Sequence, residues 1–181
     1  MLEVEVKASV NSKEKLLEAL NKLGVVFGKV QEQVDHVFVK NAKSIAEFYQ
    51  NEVFIRIREQ GTQEPVLTLK KKQQELASLE YETTIDSTSD MSAMLGILGF
   101  EQALTIRKSR VQGAYKNYTV CLDEVEGLGS FIEVEQLVEE GDIEVLQQEL
   151  FALLISLGLT VEERVYDAYD TLLLKKYFQI T

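Results

Sequence analysis

The six residues Leu2-Glu3-Val4-Glu5-Val6-Lys7 alternate without a break between aliphatic and ionic side chains. Successive side chains of a β-strand point to opposite faces. The stretch therefore predicts a strand with one wholly apolar face and one wholly ionic face. The ionic face begins with two carboxylates side by side. Like charges at that spacing repel, and the cost rises where water is scarce. What lies against this face decides the fold.

The pattern recurs along the chain. Val53, Ile55 and Ile57 alternate with Phe54, Arg56 and Arg58; Leu67 and Leu69 alternate with Thr68 and Lys70; Leu79 and Tyr81 oppose Glu80 and Glu82. Lys108 and Arg110 share a face, Cys121 and Asp123 share another, and Glu133 and Glu135 stand opposite Ile132 and Val134. For any single pair, an antiparallel sheet with one wet face is the plainest reading. As a set the rows suggest more, because ordinary wet faces intersperse both signs. In the second reading the ionic faces turn inward and line a barrel whose apolar outer faces are covered by helices, the reverse of a usual small barrel. Arg56, Arg58, Lys70, Lys108 and Arg110 then make a cationic wall suited to phosphate. Glu3, Glu5, Glu80, Glu82, Asp123, Glu133 and Glu135 make a wall of hard oxygen donors suited to Mg²⁺ or Mn²⁺. Both walls together suit a polyphosphate carried with its metal.

About eight alternating segments are expected, near residues 2–9, 26–39, 52–60, 65–73, 77–86, 104–113, 116–124 and 130–137. Short connections, with turn signals at residues 61–65 and at Gly113, Gly127 and Gly129, favour antiparallel pairing. Three stripes have helical spacing: Leu16, Leu17, Leu20 and Leu23; Met91, Met94, Leu95 and Leu98; and Ile143, Leu146, Leu150, Leu153, Leu154 and Leu157. Asn11 is the expected N-cap of the first, with Glu14 completing a capping box. Each stripe ends at a glycine (Gly24, Gly99, Gly158) able to take the left-handed closing conformation. A fourth, weaker helix is expected around residues 166–178, and residues 41–53 read as a loop.

The 181 residues fit a single domain over 1–181, and 45% hydrophobic content is ample for a core. Thirty acids against 19 bases give a net charge of −11. Such a chain has no general attraction for nucleic acid or an anionic membrane, so an anionic ligand must be met by a local basic cluster. Cys121 is the only cysteine, which excludes an intrachain disulfide and a multi-cysteine zinc site. No signal-like leader or membrane-spanning run is seen, so the expectation is a soluble cytoplasmic protein.

At this point the residues resemble a known family. Glu3-Val-Glu5-Val-Lys7 is similar to the ExExK signature of the CYTH superfamily, which holds class IV adenylyl cyclases and thiamine triphosphatases and is also called the triphosphate tunnel metalloenzymes. Gln33-Val-Asp35, Phe54-Ile-Arg56-Ile-Arg58, Thr68-Leu-Lys70, Glu80-Tyr-Glu82, Arg107-Lys108-Ser-Arg110 and the block from Leu122-Asp123 to Glu133-Val-Glu135 follow the family's order over nearly the whole chain. The resemblance implies an α+β fold: an eight-stranded antiparallel β-barrel forming a tunnel, its interior charged and its helices outside. It implies Glu3, Glu5, Glu133 and Glu135 as metal carboxylates for Mg²⁺ or Mn²⁺. It implies Lys7, Arg56, Arg58, Lys70, Lys108 and Arg110 as triphosphate binders, with Asp123, Glu80 and Glu82 in a catalytic or supporting role. Ser78, Val37 and Lys70-Lys71-Lys72 depart from the family pattern.

The implied activity is that of a metal-dependent class IV adenylyl cyclase making cyclic AMP and pyrophosphate from ATP. Its alternatives are a triphosphatase acting on thiamine triphosphate, inorganic triphosphate or a nucleoside triphosphate, and a polyphosphate-binding module without turnover. The partner is a small-molecule triphosphate, not nucleic acid or membrane, and the family admits a homodimer. Beside these, His36 reads as a strand-surface residue, Cys121 as unreactive packing, Tyr166 and Tyr169 as core packing in preference to a tunnel closure, and Lys175 and Lys176 as a solvated helix end.

Overall fold

The computed structural model describes residues 2–40, 44–74, 77–139 and 141–178. Its strands are β1 (Leu2–Ser9), β2 (Gln31–Lys40), β3 (Val53–Gln60), β4 (Val66–Gln74), β5 (Ala77–Thr84), β6 (Phe100–Tyr115), β7 (Tyr118–Val125), β8 (Gly129–Val138) and the two-residue β9 (Arg164–Val165). Its helices are α1 (Lys13–Lys22), α2 (Ile45–Gln50), α3 (Thr88–Ile97), α4 (Ile143–Ser156) and α5 (Tyr169–Tyr177).

Neighbouring strands pair antiparallel in the order β5-β4-β3-β2-β6-β7-β8-β1, and β1 returns to β5. This is a closed eight-stranded barrel of the α+β class. One edge of β1 runs the length of β8, Leu2 opposite Val138 and Ser9 opposite Phe131. Its other edge is divided. Leu2–Val4 pair with β5, and Lys7 and Ala8 pair with β9.

The alternation of each strand sorts its side chains by face. Val4, Val6, Val120, Leu122, Ile132 and Val134 point outward and pack under Leu16 and Leu20 of α1 and Leu150 and Leu154 of α4. Leu150 and Leu154 have no exposed surface, and burying each stabilises the fold by about 1.5–3 kcal/mol. On another side, Leu95 of α3 covers Phe38, Ile55 and Ile57. The core therefore lies outside the barrel wall. Inside, four of the ionic rows turn apolar at one end, where Val37, Ile106, Val125 and Phe131 lie two residues along their strands from Asp35, Lys108, Asp123 and Glu133. Tyr169 and Leu173 of α5 pack there, with the Phe131 and Tyr169 rings edge to face at 5.1 Å. So α5 closes this end, while the other helices lie outside.

Several boundaries differ from expectation. The second strand begins at Gln31, not near residue 26, because residues 25–28 cross β6 closely: the Gly28 N–H donates to Gln112 O at 2.9 Å. A Cβ on Gly113 would meet Val26 O at 2.9 Å, so the crossing needs glycine there. The sixth strand runs 16 residues because it pairs with β2 over its first part and with β7 over its second. Asn11 is not the N-cap. Helix α1 starts after Ser12, without a side-chain cap, and Asn11 Nδ2 instead donates to Glu163 Oε1 at 2.8 Å. Of the stretch expected as a loop, residues 41–43 lie outside the described residues, and the rest contains α2, capped by Ser44 accepting from the Glu47 N–H. Gly24, Gly99 and Gly158 do take positive φ just past their helices. Among the described residues, no helix is long and apolar enough to cross a membrane.

Candidate functional site

Cross-strand register builds the site. Glu5 of β1 stands directly opposite Glu135 of β8, and Lys7 opposite Glu133. Arg110 stands opposite Asp123, Arg58 opposite Asp35, Arg56 opposite Thr68, and Lys70 opposite Glu80. Since paired residues share a face, the ionic rows all meet inside the barrel. They enclose a cavity of about 260 Å³ lined by Glu3, Glu5, Lys7, Arg56, Arg58, Lys70, Lys108, Arg110, Glu82, Glu133 and Glu135. A larger groove of about 610 Å³ lies on the outside by the β7–β8 turn. It is open to solvent and holds few of these groups.

Three carboxylates form a cluster of their own. Oxygens of Glu3, Glu5 and Glu135 lie within 4.8 Å of one another. Burial first, then the neighbouring carboxylates, raises the proton affinity of all three; Glu135 is pushed up to about 8. Hard oxygens held this close, and reluctant to be anionic together, are a donor set that fits a divalent cation. Glu133, expected in the same set, faces Lys7 at 3.0 Å and Arg110. Burial opposes its charge, but these two cations outweigh burial and hold it well below the usual carboxylate range.

The cations are held by carboxylates. Arg58 makes a two-pronged pair with Asp35, at 2.6 and 2.8 Å. Arg110 grips Asp123 in the same way, at 2.6 and 2.5 Å, and Lys108 reaches Asp123 at 2.9 Å. Lys70 bridges Glu3 at 3.3 Å and Glu80. Arg56 binds Thr68 at 3.0 Å and Glu82 at 3.2 Å, yet its buried Nε has no hydrogen bond among the described residues. Burial and the adjacent Arg110 lower the proton affinity of Lys108. Asp123 is fully buried behind Arg110 and does not line the cavity; Glu80 braces Lys70. Lys7 is 2% exposed, 3.2 Å from Glu5, and 4.2 Å above the centre of the Tyr169 ring. The ring lies 5.0 Å from the Lys108 ammonium too.

Three residues on the cavity wall were not among the expected site residues: Asp35, Tyr169 and Asp170. For Asp35 the available signal was the Gln33-Val-Asp35 match; its pairing with Arg58 comes from the register of β2 on β3. Tyr169 and Asp170 come from the first turn of α5, where no alternation marks a face. Tyr169 is thus core packing and tunnel closure at once, whereas Tyr166 is half exposed beside Arg164. His36 lies away from the cavity against Glu59 at 3.3 Å. Cys121 is buried, and burial pushes its thiol up, out of reach of ionisation. Lys175 pairs with Asp167 at 2.6 Å, and Lys176 donates to Gly127 O.

Residues 1–169 match the family model described as the CYTH domain. A protein of Methanocaldococcus jannaschii, whose name assigns it provisionally as an adenylate cyclase, is 27% identical over 172 residues, spanning 93% of this chain and 97% of its own. A solved protein structure from Pyrococcus horikoshii superposes with a TM-score of 0.79 at 29% identity, covering 96% of this chain and 99% of that one. A Hippeastrum protein, described as provisionally assigned to the adenylyl cyclases and as revealing a dominant triphosphatase activity, shares the fold with a TM-score of 0.64 at 20% identity, covering 99% of this chain and 97% of that one.

Proposed function

The chain belongs to the CYTH domain family, and on that premise we propose that it is a divalent-metal-dependent enzyme acting on a triphosphate, of the adenylyl cyclase type that makes cyclic AMP and pyrophosphate from ATP. The observation that carries this reading is the convergence of the Glu3–Glu5–Glu135 cluster and the arginine and lysine rows on one enclosed cavity. Carboxylates and cations line it in nearly equal number, which suits a polyanion that enters together with a divalent cation. Glu3, Glu5 and Glu135 would hold Mg²⁺ or Mn²⁺, which supplies Lewis-acid neutralisation of phosphoryl oxygens when bound.

The protein's own groups do the rest. Arg58 and Arg110, each braced by a buried aspartate, are set to take phosphate oxygens without first reorganising. The free Nε of Arg56 is a donor in want of an acceptor. Lys70 and Lys108 add point charges. Lys7 and Glu133 neutralise each other and hold the row in shape, and Asp123, Glu80 and Glu82 orient the cations. In-line attack on phosphorus then passes its developing charge to an arginine-lined wall.

A second reading is favoured by size. At about 260 Å³ the cavity falls below the range of about 300–1,000 Å³ usual for small-molecule sites. It would enclose a triphosphate chain, leaving whatever is attached outside, which suits a triphosphatase using water. One incubation series separates the readings. Purified protein with Mg²⁺ or Mn²⁺ is offered ATP, thiamine triphosphate and inorganic triphosphate. Cyclic AMP with pyrophosphate supports the cyclase, and orthophosphate the triphosphatase. Tight binding without turnover would overturn both in favour of a binding module. Glu5→Gln and Glu135→Gln should each abolish turnover, and wild-type rates in both would refute the metal assignment.

A further inference from the structure

We propose that Asp170, in the first turn of α5, is the proton acceptor for the attacking hydroxyl or water; this rests on the triphosphate-enzyme reading above. Most of the carboxylates that line the cavity are engaged by a cation. Glu3 is paired with Lys70, Glu5 and Glu133 with Lys7, Asp35 with Arg58, and Glu82 with Arg56. Among the described residues two lining carboxylates carry no ion pair, Glu135 and Asp170. Glu135 belongs to the three-glutamate cluster. Asp170 does not, and neither metal binding nor the bracing of a cation accounts for it.

Its placement is firm. The Thr171 N–H donates to Asp170 Oδ1 at 2.5 Å. The preceding residue, Tyr169, is wedged between Lys7 and Lys108 and against Phe131. The charges that act on the carboxyl are those of Lys7 on β1 and Lys70 on β4, and Thr171 of its own helix hydrogen-bonds it. Both lysines are already committed to glutamates. Burial outweighs their pull and raises the proton affinity of Asp170, the direction a general base near neutral pH requires. An acid in a helix's first turn is commonplace, but this one faces into the tunnel instead of out to water.

In the step itself, the nucleophile's O–H proton passes to the Asp170 carboxylate as the oxygen bonds to phosphorus. The phosphorus–oxygen bond to the leaving phosphate or pyrophosphate breaks, and its electron pair departs on that group. Asp170 then returns the proton to solvent. The same step serves a ribose hydroxyl or a water.

The test uses the full chain, Mg²⁺ or Mn²⁺, and whichever triphosphate the wild type turns over. Asp170→Asn should lower kcat by roughly 100-fold or more, leave KM within about threefold, and remove the acid limb of the kcat–pH profile. Asp170→Ala should regain part of its rate on addition of formate, which a merely structural residue would not permit. A kcat within about threefold of wild type in Asp170→Asn overturns the proposal, as does a loss that formate does not restore with the acid limb intact. Wild-type protein that turns over no triphosphate sinks the enzyme reading and this one together. Active wild type with active Asp170→Asn sinks this one alone.

Discussion

Glu135→Gln should stabilise the metal-free protein above pH 8 and abolish its response to divalent metal. The oxygens of Glu3, Glu5 and Glu135 lie within 4.8 Å of one another. At an effective dielectric of about 20, two unit charges at that distance repel by about 3.5 kcal/mol. The proton affinity gives a figure of the same order. Glu135 moves from 4.5 to about 8, with burial as the leading cause and Glu3, Glu133 and Glu5 behind it. At about 1.4 kcal/mol for each tenfold change, holding this carboxylate ionised costs the fold on the order of 5 kcal/mol. The folded state binds the proton more tightly than the unfolded chain, so stability falls as pH rises from 4.5 through about 8, and the whole cost is present above that. Glutamine removes it. For a chain of this length about 1 kcal/mol moves Tm by roughly 2–4 °C, which predicts a rise of about 10–20 °C at pH 8.5 and a smaller one at pH 6. Mg²⁺ or Mn²⁺ should raise Tm in the wild type and not in the variant. Thermal melts at the two pH values, with and without metal, are the assay. A lower Tm for metal-free Glu135→Gln at pH 8.5, or an undiminished metal-induced rise, would refute the reasoning.

Arg58→Ala should raise KM for the triphosphate and, by stranding the buried Asp35, cost about 3–5 kcal/mol of stability; denaturant melts should find the Asp35→Ala/Arg58→Ala pair less destabilised than the sum of the single variants. Tyr169→Phe keeps the ring beneath Lys7 and Lys108 and should leave KM within about twofold. Tyr169→Leu loses two cation–π contacts worth about 0.5–2 kcal/mol each and should raise KM by roughly tenfold in steady-state kinetics. Leu154→Ala opens a cavity beneath α4, far from the tunnel, and should cost about 2–5 kcal/mol while kcat at 20 °C stays unchanged.

Much of the barrel was legible because its wall separates two extremes. Outward Val4, Val6, Ile132 and Val134 and inward Glu3, Glu5, Glu133 and Glu135 keep a period of two that no helix imitates. Where that contrast fades, so does the reading. Helix α2 has six residues and β9 has two, too short for any period to show. Residues 26–30 look strand-like, yet they are held by a crossing over Gly113 that only tertiary structure creates. The site follows the same division. Each row could be read from its own strand, but the partners come from register. That Glu133 meets Lys7 while Glu135 meets Glu5 depends on how β1 lies against β8, which neither strand states alone. Tyr169 and Asp170 reach the tunnel because α5 turns into the barrel's end, and in the sequence they were an ordinary aromatic and an ordinary first-turn acid.

The central claim is that one enclosed channel holds a triphosphate and a divalent cation at opposing walls. A crystal of the protein grown with Mn²⁺ and inorganic triphosphate, measured at the manganese absorption edge, tests it most directly. The account predicts an anomalous peak among the carboxylates of Glu3, Glu5 and Glu135, with phosphate density against Arg56, Arg58 and Arg110. Manganese and phosphate bound only on the outer surface, with the channel holding neither, would contradict it.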